Sequence, residues 1–379
     1  MDKPSVRVAV VSDAVLPWHR GGKELRYQQL FARWPAENLD VTVFTMKWWD
    51  DAPPPGPVVF SALSRRYALY HGERRSIRQA LMFALSTFKL LWKKYDVIEA
   101  DHMPYLQLFP LRLVATIRRV PLVVTWHEVW GRDYWREYLG PVGFIGAFIE
   151  WTATKLPTAI AVVSEGSAIR LRQMNVPSRK IHIVPNALDQ EELNQVTAAP
   201  AAPAILAVGR LMTHKRVDLT LRALAQIPEV TLGIIGSGPE HEQLIALSEE
   251  LGIADRVTFF GDVADHDEVL GLMKGSTVVS LPSEREGFGI AVGEALGVGT
   301  PVVTSDHLDN EARRLVSDGL TGSVIPAGDV AALVRALQFW LAADASGELI
   351  SQRFWGQHLD LSWDSVAALY ADLLKKTLE

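Results

Sequence analysis

The chain has 379 residues, of which 38 are Lys or Arg and 44 are Asp or Glu, so its formal net charge is −6. This length predicts two domains, because one domain usually spans about 100–200 residues. With 48% apolar and 22% charged residues, the composition excludes global disorder. The lack of cysteine excludes a disulfide scaffold, a thiolate zinc site and a cysteine nucleophile, and it favours a reducing compartment.

The net charge differs between the two halves of the chain. Residues 1–188 contain 25 basic and 16 acidic side chains, a net of +9, whereas residues 189–379 contain 13 and 28, a net of −15. This asymmetry indicates that the basic half faces an anionic surface. The alternative is that the two domains simply tolerate different solvated surfaces.

Short apolar runs alternate with helical patterns along the whole chain. Runs that are apolar throughout are typical of strands buried on both faces of a parallel sheet. The repeated strand–helix–strand order therefore predicts an α/β fold with two doubly wound, Rossmann-like domains, whose ligands bind at the carboxyl ends of the strands in a cleft between them. The predicted strands are 6–11, 39–44, 97–100, 122–125, 159–163, 180–184, 205–208, 231–235, 257–259, 277–281 and 301–304, and the clearest helices are 24–34, 78–94, 216–225 and 240–251.

The first strand pattern begins close to the first residue, so we expect no targeting segment. No apolar stretch reaches the ~18–20 residues that span a bilayer. The nearest, residues 141–149, is short and rich in glycine. The sequence therefore predicts a cytoplasmic protein that is at most peripheral on the inner face of a membrane.

Two candidate site features in the first half follow predicted strands. Gly21-Gly22-Lys23 opens the first helix without Walker A or dinucleotide spacing, so it is either a phosphate contact or a plain backbone turn. His127 comes directly after a buried strand, which favours ligand contact over a purely structural role. No His or Cys lies near His127 in sequence to complete a metal site.

A segment that is both basic and apolar predicts a second binding surface, separate from the candidate residues at the strand ends. Residues 65–94 contain eight Lys or Arg, among them Arg74, Arg75 and Arg78, and a single acidic residue, Glu73. Interleaved apolar residues would let this segment lie on an anionic lipid surface, where each cation contributes about 1 kcal/mol. The alternative is a core-facing helix with a solvated basic side. A second apolar cluster, which follows the loop carrying Trp130, Tyr134 and Trp135, comprises Phe144, Ile145, Phe148, Ile149 and Trp151. The predicted acceptor or membrane residues are Trp126, Trp130, Tyr134, Trp135, Arg74, Arg75 and Arg78.

Composition locates the predicted domain boundary. Residues 196–203 read Val-Thr-Ala-Ala-Pro-Ala-Ala-Pro, with neither charge nor a core pattern, and they follow the turn signal Pro185-Asn186. We therefore expect a linker between about residues 186 and 203. The predicted domains are residues 1–188, with a returning helix at 362–379, and residues 189–361.

Two further features follow strands of the second domain. Arg210 and Lys215 come after its first strand and would neutralise a diphosphate, with surface ion pairing as the alternative. Asp265-His266-Asp267 has the D-x-D spacing of some metal sites. It lies at a helix start, where Asp is a common cap, so we interpret it as structural.

The densest cluster of candidate residues is Leu281–Leu296, where a buried strand leads through a glycine-rich turn into a helix. Amides of Gly287 and Gly289 beside the helix N-terminus would bind phosphate. Glu286 and Glu294, about two helical turns apart, would accept hydrogen bonds from the hydroxyls of two sugars. The alternative is an ordinary loop with solvated glutamates.

These features together resemble the retaining glycosyltransferases of family 4, which have the two-domain GT-B architecture. Beyond the glutamate pair, the resemblance covers nearly the whole chain through Gly21-Gly22, Val162–Glu165, Ile183–Asp189, Gly209–Leu211 with Lys215, Gly236–Pro239, Phe260–Val263 and Leu361–Asp364. One departure is Ala187, where the family often has glycine. In the family, the C-terminal helix crosses back to the first domain.

The resemblance implies site roles on these positions. Glu294 would bind the ribose of a nucleotide-sugar and Val263 its base through the backbone. Arg210 and Lys215 would stabilise the diphosphate together with the amides of Gly22, Gly287, Phe288, Gly289 and Ile290. The implied catalytic residues are His127, Glu286, Arg210 and Lys215, with no metal and no cofactor, because cations supply the charge stabilisation.

The sequence thus predicts transfer of a hexose from a UDP- or GDP-linked donor to a lipid-linked or glycan acceptor, with retention, in cell-surface polysaccharide or glycolipid synthesis. The expected partners are the donor, the acceptor and an anionic membrane surface, but no nucleic acid. The alternatives are a GT-B sugar-nucleotide epimerase and a non-catalytic donor-binding subunit. A Rossmann dehydrogenase is excluded because no dinucleotide fingerprint follows any predicted strand.

Overall fold

The computed structural model describes residues 5–19, 21–71, 74–358 and 361–379, with the backbone alone at residues 70, 71 and 74. Its contacts divide the chain into two units. Unit 1 is the chain up to Ala187 together with Trp363–Glu379, and unit 2 is Leu188–Ser362. Each unit is built on its own parallel sheet.

Unit 1 contains nine of the described strands and seven of the described α-helices. Its strands are β1 Val6–Val11, β2 Leu39–Met46, β3 Val59–Ser64, β4 Tyr70–His71, β5 Arg74–Arg75, β6 Val97–Asp101, β7 Leu122–Trp126, β8 Ala159–Val162 and β9 Ile181–Ile183. Its helices are α1 Gly22–Arg33, α2 Ile77–Ser86, α3 Leu108–Arg118, α4 Gly131–Leu139, α5 Gly143–Ala153, α6 Glu165–Gln173 and, at the C-terminus, α14 Trp363–Lys376.

Unit 2 has the same alternation of strands and helices. Its strands are β10 Ile205–Val208, β11 Leu232–Ile235, β12 Val257–Gly261, β13 Val278–Leu281, β14 Val302–Ser305 and β15 Gly322–Ile325. Its helices are α7 Gln190–Gln195, α8 Val217–Leu224, α9 His241–Glu250, α10 His266–Gly275, α11 Ile290–Gly297, α12 Val330–Ala342 and α13 Gly347–Gln357.

Both sheets are doubly wound, as predicted. The order in unit 1 is β3-β2-β1-β6-β7-β8-β9, and in unit 2 it is β12-β11-β10-β13-β14-β15, with every pair parallel. In each sheet the order reverses beside the first strand, between β1 and β6 and between β10 and β13. Such reversal points open crevices at the carboxyl ends of the strands, where doubly wound sheets bind ligands.

The structure corrects three details of the prediction. The edge strands β3 and β15 were missed, because serines interrupt the apolar run of β3 and a Gly-Ser pair opens the four-residue β15. The predicted helix over 78–94 is α2 followed by a 3₁₀ segment, Thr87–Trp92. The predicted linker contains a helix, α7, whose start is capped because the Asp189 side chain accepts a hydrogen bond from the Glu192 amide.

Apolar burial on both faces of each sheet stabilises the units. In unit 1 the central strands pack against α1 and α14, with Trp34, Tyr27 and Tyr370 fully buried. In unit 2 the sheet packs against α8 and α12, with Leu221 and Leu333 fully buried. None of the described helices combines the length and the hydropathy needed to cross a bilayer.

Candidate functional site

In unit 2, the loops that follow β10 and β13 meet at the reversal point of the sheet. The Glu284 amide donates to the His214 carbonyl at 2.7 Å, which ties the two loops together. Lys215 Nζ then lies 2.6 Å from Glu286 Oε1, with both side chains largely buried. The cation and the first glutamate of the sequence prediction are therefore an ion pair.

The loop that carries Glu286 is fixed from both sides. The Glu286 amide donates to the Asp309 carbonyl at 3.0 Å, and the Glu286 carbonyl accepts from the Glu311 amide at 3.1 Å. Gly289 has φ +92°, and a Cβ there would lie 2.3 Å from the Cβ of Ala312. Only glycine fits this close, left-handed position.

This rigid turn leads into α11 and leaves backbone donors free. Among the described residues, no acceptor takes the amides of Gly287, Phe288 or Gly289. Free amides at a helix N-terminus attract anions, because the helix dipole adds to their hydrogen-bonding capacity. Ile290 is the first residue of α11. The turn can therefore bind a phosphate group.

Arg210 adds positive charge to the same crevice. It is exposed and forms no ion pair within the described part of the chain. Burial, together with the charges of the nearby Lys215, Arg285 and Arg210, lowers the pKa of His214 to about 3. His214 is therefore neutral at physiological pH in a region of positive potential.

The Gly236–Pro239 motif positions the loop that carries Arg210. The Leu211 amide donates to the Ser237 carbonyl at 2.8 Å. A Cβ on Gly238, which has φ +158°, would lie 2.3 Å from the Leu211 carbonyl oxygen. Glycine is required here because two backbones approach closely.

Glu294 lies on α11 and pairs with a histidine from a neighbouring helix. His266 Nε2 is 3.2 Å from Glu294 Oε1. Asp265 caps α10 by accepting from the Asp267 amide at 3.1 Å, as expected for a structural Asp. Val263 is half-buried in the loop between β12 and α10. Nothing in the sequence pattern pointed to His266 as the partner of Glu294.

In unit 1, a buried charged cluster occupies the reversal point of the sheet. Asp13 follows β1 and Asp101 ends β6, and both carboxylates are fully buried. Lys23, near the start of α1, lies 2.6 Å from Asp101 and 3.3 Å from Asp13. Arg75 lies 3.2 Å from the other oxygen of Asp13. The cluster thus balances two carboxylates with two cations.

These charges change the acid–base properties of the cluster. Although burial opposes it, the charge of Lys23 and a hydrogen bond from His102 hold the pKa of Asp101 well below its usual range. Burial likewise opposes charge on Lys23, yet Asp101, Asp13 and Glu24 raise its pKa above the ordinary value. Both residues are therefore charged throughout the physiological range.

His127 belongs to this cluster. Its Nε2 lies 3.8 Å from Asp101 Oδ1 and has no hydrogen-bond partner among the described residues. Burial lowers its pKa to about 3, although Asp101 opposes the shift, so the imidazole is neutral at physiological pH. Gly22, by comparison, is the first residue of α1 and contributes backbone alone.

Sequence reasoning missed Asp13, Asp101 and His102. The signal was present, because each lies at the carboxyl end of a buried strand or within two residues of it, as His127 does. Gln79 was also missed; it donates from Nε2 to Asp13 at 3.1 Å. Its position on α2 gives no comparable signal.

The predicted acceptor residues are not all at the surface. The prediction that Trp126 lies on the acceptor surface is wrong. Trp126 ends a strand that is buried on both faces, and its ring packs against His102 and Tyr105. Trp135 is also a core residue, and its Nε1 donates to the buried Glu150 at 2.9 Å. The remaining predicted acceptor residues divide as follows: Trp130, Tyr134 and Arg75 are half-buried, Arg78 is exposed, and the Arg74 side chain lies outside the described residues.

No cluster of three or more His, Cys, Asp or Glu side chains with metal-binding geometry occurs in the described ranges. The predicted independence from metal stays a prediction that activity measurements must test.

Comparison with known proteins identifies relatives of both halves. The family model described as glycosyltransferase family 4 matches residues 20–192, and that described as glycosyl transferases group 1 matches residues 189–353. A D-inositol 3-phosphate glycosyltransferase of Mycolicibacterium gilvum is 34% identical over 153 residues, which are 39% of this chain and 34% of that protein. The matches therefore span about a third of the length of the curated relatives.

Solved structures show a similar fold over nearly the whole chain. Sucrose-phosphate synthase from Thermosynechococcus elongatus has a TM-score of 0.79 at 20% identity, with 98% of each chain covered. Anabaena HepE in complex with UDP-glucose has a TM-score of 0.75 at 18% identity, covering 98% of this chain and 100% of that chain. With two parallel doubly wound sheets and family matches that run from residue 20 to residue 353, the chain belongs to the group 1, family 4 glycosyltransferases of GT-B fold.

Proposed function

We propose that this chain transfers a hexose from a nucleotide-diphosphosugar to a lipid-linked or glycan acceptor, with retention of the anomeric configuration and without a metal. The observation that carries the proposal is the Lys215–Glu286 pair beside the free amides of Gly287, Phe288 and Gly289. It combines a carboxylate that accepts from sugar hydroxyls with donors for phosphate oxygens. Cell-surface polysaccharide or glycolipid synthesis is the proposed role.

In the proposed reaction, the bond between the anomeric carbon and the diphosphate oxygen breaks while the acceptor oxygen bonds to the same face of that carbon. The acceptor hydroxyl gives its proton to the leaving phosphate, so no side chain is assigned as general base. Lys215, Arg210 and the turn amides stabilise the negative charge that develops on the diphosphate. Glu286 holds a hydroxyl of the transferred sugar, and Glu294 holds the ribose.

A UDP-linked donor is the preferred version of the proposal, because the HepE structures contain UDP and UDP-glucose. A thermal-shift panel of UDP, GDP, ADP and their common sugars tests it. The UDP series should raise the melting temperature most, since a ligand that binds only the folded state stabilises it. If no nucleotide raises it, the donor site is wrongly assigned.

The acceptor proposal depends on an apolar surface of unit 1. Residues 77–95 and 102–127 contain no Asp or Glu, and they include α2, the 3₁₀ segment Thr87–Trp92 and α3. A groove of about 410 Å³ between these elements is lined by Leu81, Ala84, Leu85, Phe88, Leu106, Phe109, Pro110 and Leu113. Sequence reasoning did not include α3 in this surface.

Cations accompany the exposed apolar side chains. Trp92 is 78% exposed and Ile77 is 77% exposed, and Lys93 and Lys94 lie exposed beside Trp92. Basic and apolar side chains together suit an anionic lipid surface, because burial in the interface and charge attraction add. This combination supports a lipid-linked acceptor over the epimerase alternative, which needs no acceptor surface. The Lys215–Glu286 pair, in turn, disfavours a non-catalytic subunit.

Vesicle pelleting tests the membrane part. The wild-type protein should pellet with phosphatidylglycerol-containing vesicles more than with neutral ones, and salt should weaken the association. Trp92→Glu should reduce pelleting, whereas Phe339→Glu, at a 57% exposed apolar residue of unit 2, should not. Equal pelleting with neutral and anionic vesicles, or none, contradicts the membrane proposal but leaves the donor site untouched.

A further inference from the structure

A second concave site lies in unit 1 beside the start of α2. It has a volume of about 380 Å³, and its lining includes Arg65, Arg66, Tyr67, Ser76, Arg78 and Gln79. The apolar groove of the same unit contains no charged side chain in its lining, so the two are chemically distinct. We call this second site the arginine pocket.

Two of its guanidinium groups are ordered by aromatic rings rather than by carboxylates. Arg65 Cζ lies 5.1 Å from the centroid of the Tyr67 ring, and its Nε donates to the Tyr67 hydroxyl at 3.0 Å. Arg66 Cζ lies 5.7 Å from the centroid of the Trp48 ring. Stacking holds the planar group but leaves most of its N–H donors available.

The third guanidinium, that of Arg78, is exposed. Within the described part of the chain, Arg65, Arg66 and Arg78 form no ion pair with any carboxylate. Burial lowers the pKa of the adjacent His19, and Lys23, Arg66 and Arg75 lower it further while Asp13 alone opposes them. The region therefore carries an excess of positive charge.

The start of α2 adds two backbone donors. The Ser76 side chain accepts from the Gln79 amide, which caps this ten-residue helix. No described acceptor takes the amides of Ile77 and Arg78, which precede the first intrahelical hydrogen bond. These donors and the three guanidinium groups suit a multiply charged oxyanion.

The buried side of the pocket offers a hydrogen-bond acceptor. Gln79 is only 1% exposed, and its Nε2 donates to Asp13. That contact identifies the nitrogen, because the opposite amide orientation would direct an oxygen at a carboxylate. The remaining Oε1 has no partner among the described residues. The hydroxyl of a ligand in the pocket would supply the donor that this acceptor lacks.

We infer that the arginine pocket binds a phosphorylated molecule that also carries a hydroxyl group, with the phosphate on Arg65, Arg66 and Arg78 and the hydroxyl on Gln79. The inference that the pocket binds an anion does not depend on the proposed function. Its role in recognising the acceptor rests on the proposed function. Through Gln79 and Asp13, the pocket adjoins the cluster that contains Asp101 and His127.

Protection from arginine modification tests the inference without an activity assay. The full-length protein is treated with phenylglyoxal, and modification of each arginine is measured by mass spectrometry with inorganic phosphate, with glycerol 3-phosphate, or with chloride at equal ionic strength. Both phosphate compounds should slow modification of Arg65, Arg66 and Arg78, with glycerol 3-phosphate effective at lower concentration because it carries hydroxyls. Arg335, exposed in unit 2 without an ion pair among the described residues, is the internal control and should not change.

The Arg66→Gln/Arg78→Gln variant should lose most of the protection at Arg65, whereas Arg335→Gln should keep it. Phosphatidylglycerol vesicles in a parallel arm identify the source of the phosphate. Protection by vesicles as well as by phosphate points to a lipid headgroup, and protection by soluble compounds alone points to a soluble phosphorylated acceptor. The inference is overturned if the arginines are modified equally in phosphate and in chloride. It is also overturned if only the vesicles protect and the protection extends equally to Arg112 and Arg118. Protection at Arg210 reports the donor site separately.

Discussion

The two units bring side chains to equivalent places, the reversal points of their sheets, yet they treat charge differently. In unit 1, the buried carboxylates of Asp13 and Asp101 are matched by Lys23 and Arg75. In unit 2, Arg210 and the amides of the Gly287–Gly289 turn have no partner within the described residues. The crevice at the reversal point thus holds an internally balanced cluster in unit 1, whereas the equivalent crevice of unit 2 is an open anion site.

This difference explains why unit 1, as the proposed acceptor unit, would need a second site for charge. A balanced cluster orients groups such as His127 but does not attract an anion strongly, since its charges cancel locally. The arginine pocket supplies unit 1 with the positive potential that its reversal point lacks. In unit 2, the reversal point itself serves that purpose. The net charges of +9 and −15 therefore do not show that, in each half, the positive charge available to an anion is concentrated at one site.

Glu286→Ala gives the largest expected effect on activity. Removing this carboxylate deletes a hydrogen-bond acceptor for the sugar and leaves Lys215 without its partner. We expect transfer to fall by at least about 10²- to 10³-fold, the usual cost of losing a positioned polar group in an active site. Product formation from the donor found in the thermal-shift panel measures it.

The control for that variant is Glu348→Ala, an exposed glutamate on α13. It should keep full activity, and both variants should show wild-type circular dichroism. Full activity of Glu286→Ala would remove the assigned role of Glu286 and, with it, the contrast between an open and a balanced site.

Lys23→Met gives the largest expected effect on stability. It leaves Asp13 and Asp101 buried next to Arg75 alone, and breaking a buried pair in this way costs about 3–5 kcal/mol. Denaturant unfolding followed by tryptophan fluorescence measures the change. Lys215→Met, in the less buried pair of unit 2, should cost about 1 kcal/mol or less.

A second substitution sharpens that comparison. Lys23→Met/Asp101→Asn should recover part of the lost stability, because it removes one of the uncompensated charges. If Lys23→Met and Lys215→Met cost the same, the two reversal points do not differ in the way we describe.

Glu99 predicts a pH dependence that belongs to unit 1. This buried carboxyl accepts from Tyr27, Thr125 and Tyr370, and burial raises its pKa to about 7 although these hydrogen bonds oppose the shift. The folded state therefore holds this proton more tightly than the unfolded state. The resulting stabilisation is complete below the ordinary pKa of 4.5 and is lost as the pH rises through about 7.

The Glu99→Gln variant isolates this contribution. Across pH 4.5–7 the opposite effect of His127, whose pKa is lowered, acts equally on both proteins, so the difference in their unfolding free energies reports Glu99 alone. The wild type should lose stability relative to Glu99→Gln as the pH rises. A constant difference contradicts the raised pKa.

The fold could be predicted because the central strands are almost entirely apolar, as β7 illustrates, whereas the edge strands β3 and β15 gave no such signal. Strand-end position located His127, and applied consistently it would have located Asp13 and Asp101. The partners of Glu99 were out of reach, since Tyr370 lies 271 residues away. Trp126 was placed at the surface because aromatic composition does not distinguish a binding loop from the end of a buried strand.

Asp265→Ala gives the smallest expected effect and separates a cap from a metal ligand in unit 2. Its carboxylate accepts from the Asp267 amide at the start of α10, and losing such a cap costs about 1 kcal/mol. If Asp265 is only a cap, the variant should unfold at lower denaturant concentration with an unchanged kcat, and a chelator should leave wild-type activity intact. If Asp265 binds a metal, the variant should lose activity that added Mn²⁺ partly restores, and the chelator should abolish wild-type transfer. That second outcome would mean that unit 2 neutralises the diphosphate with a metal, so that its free cations and amides are insufficient by themselves.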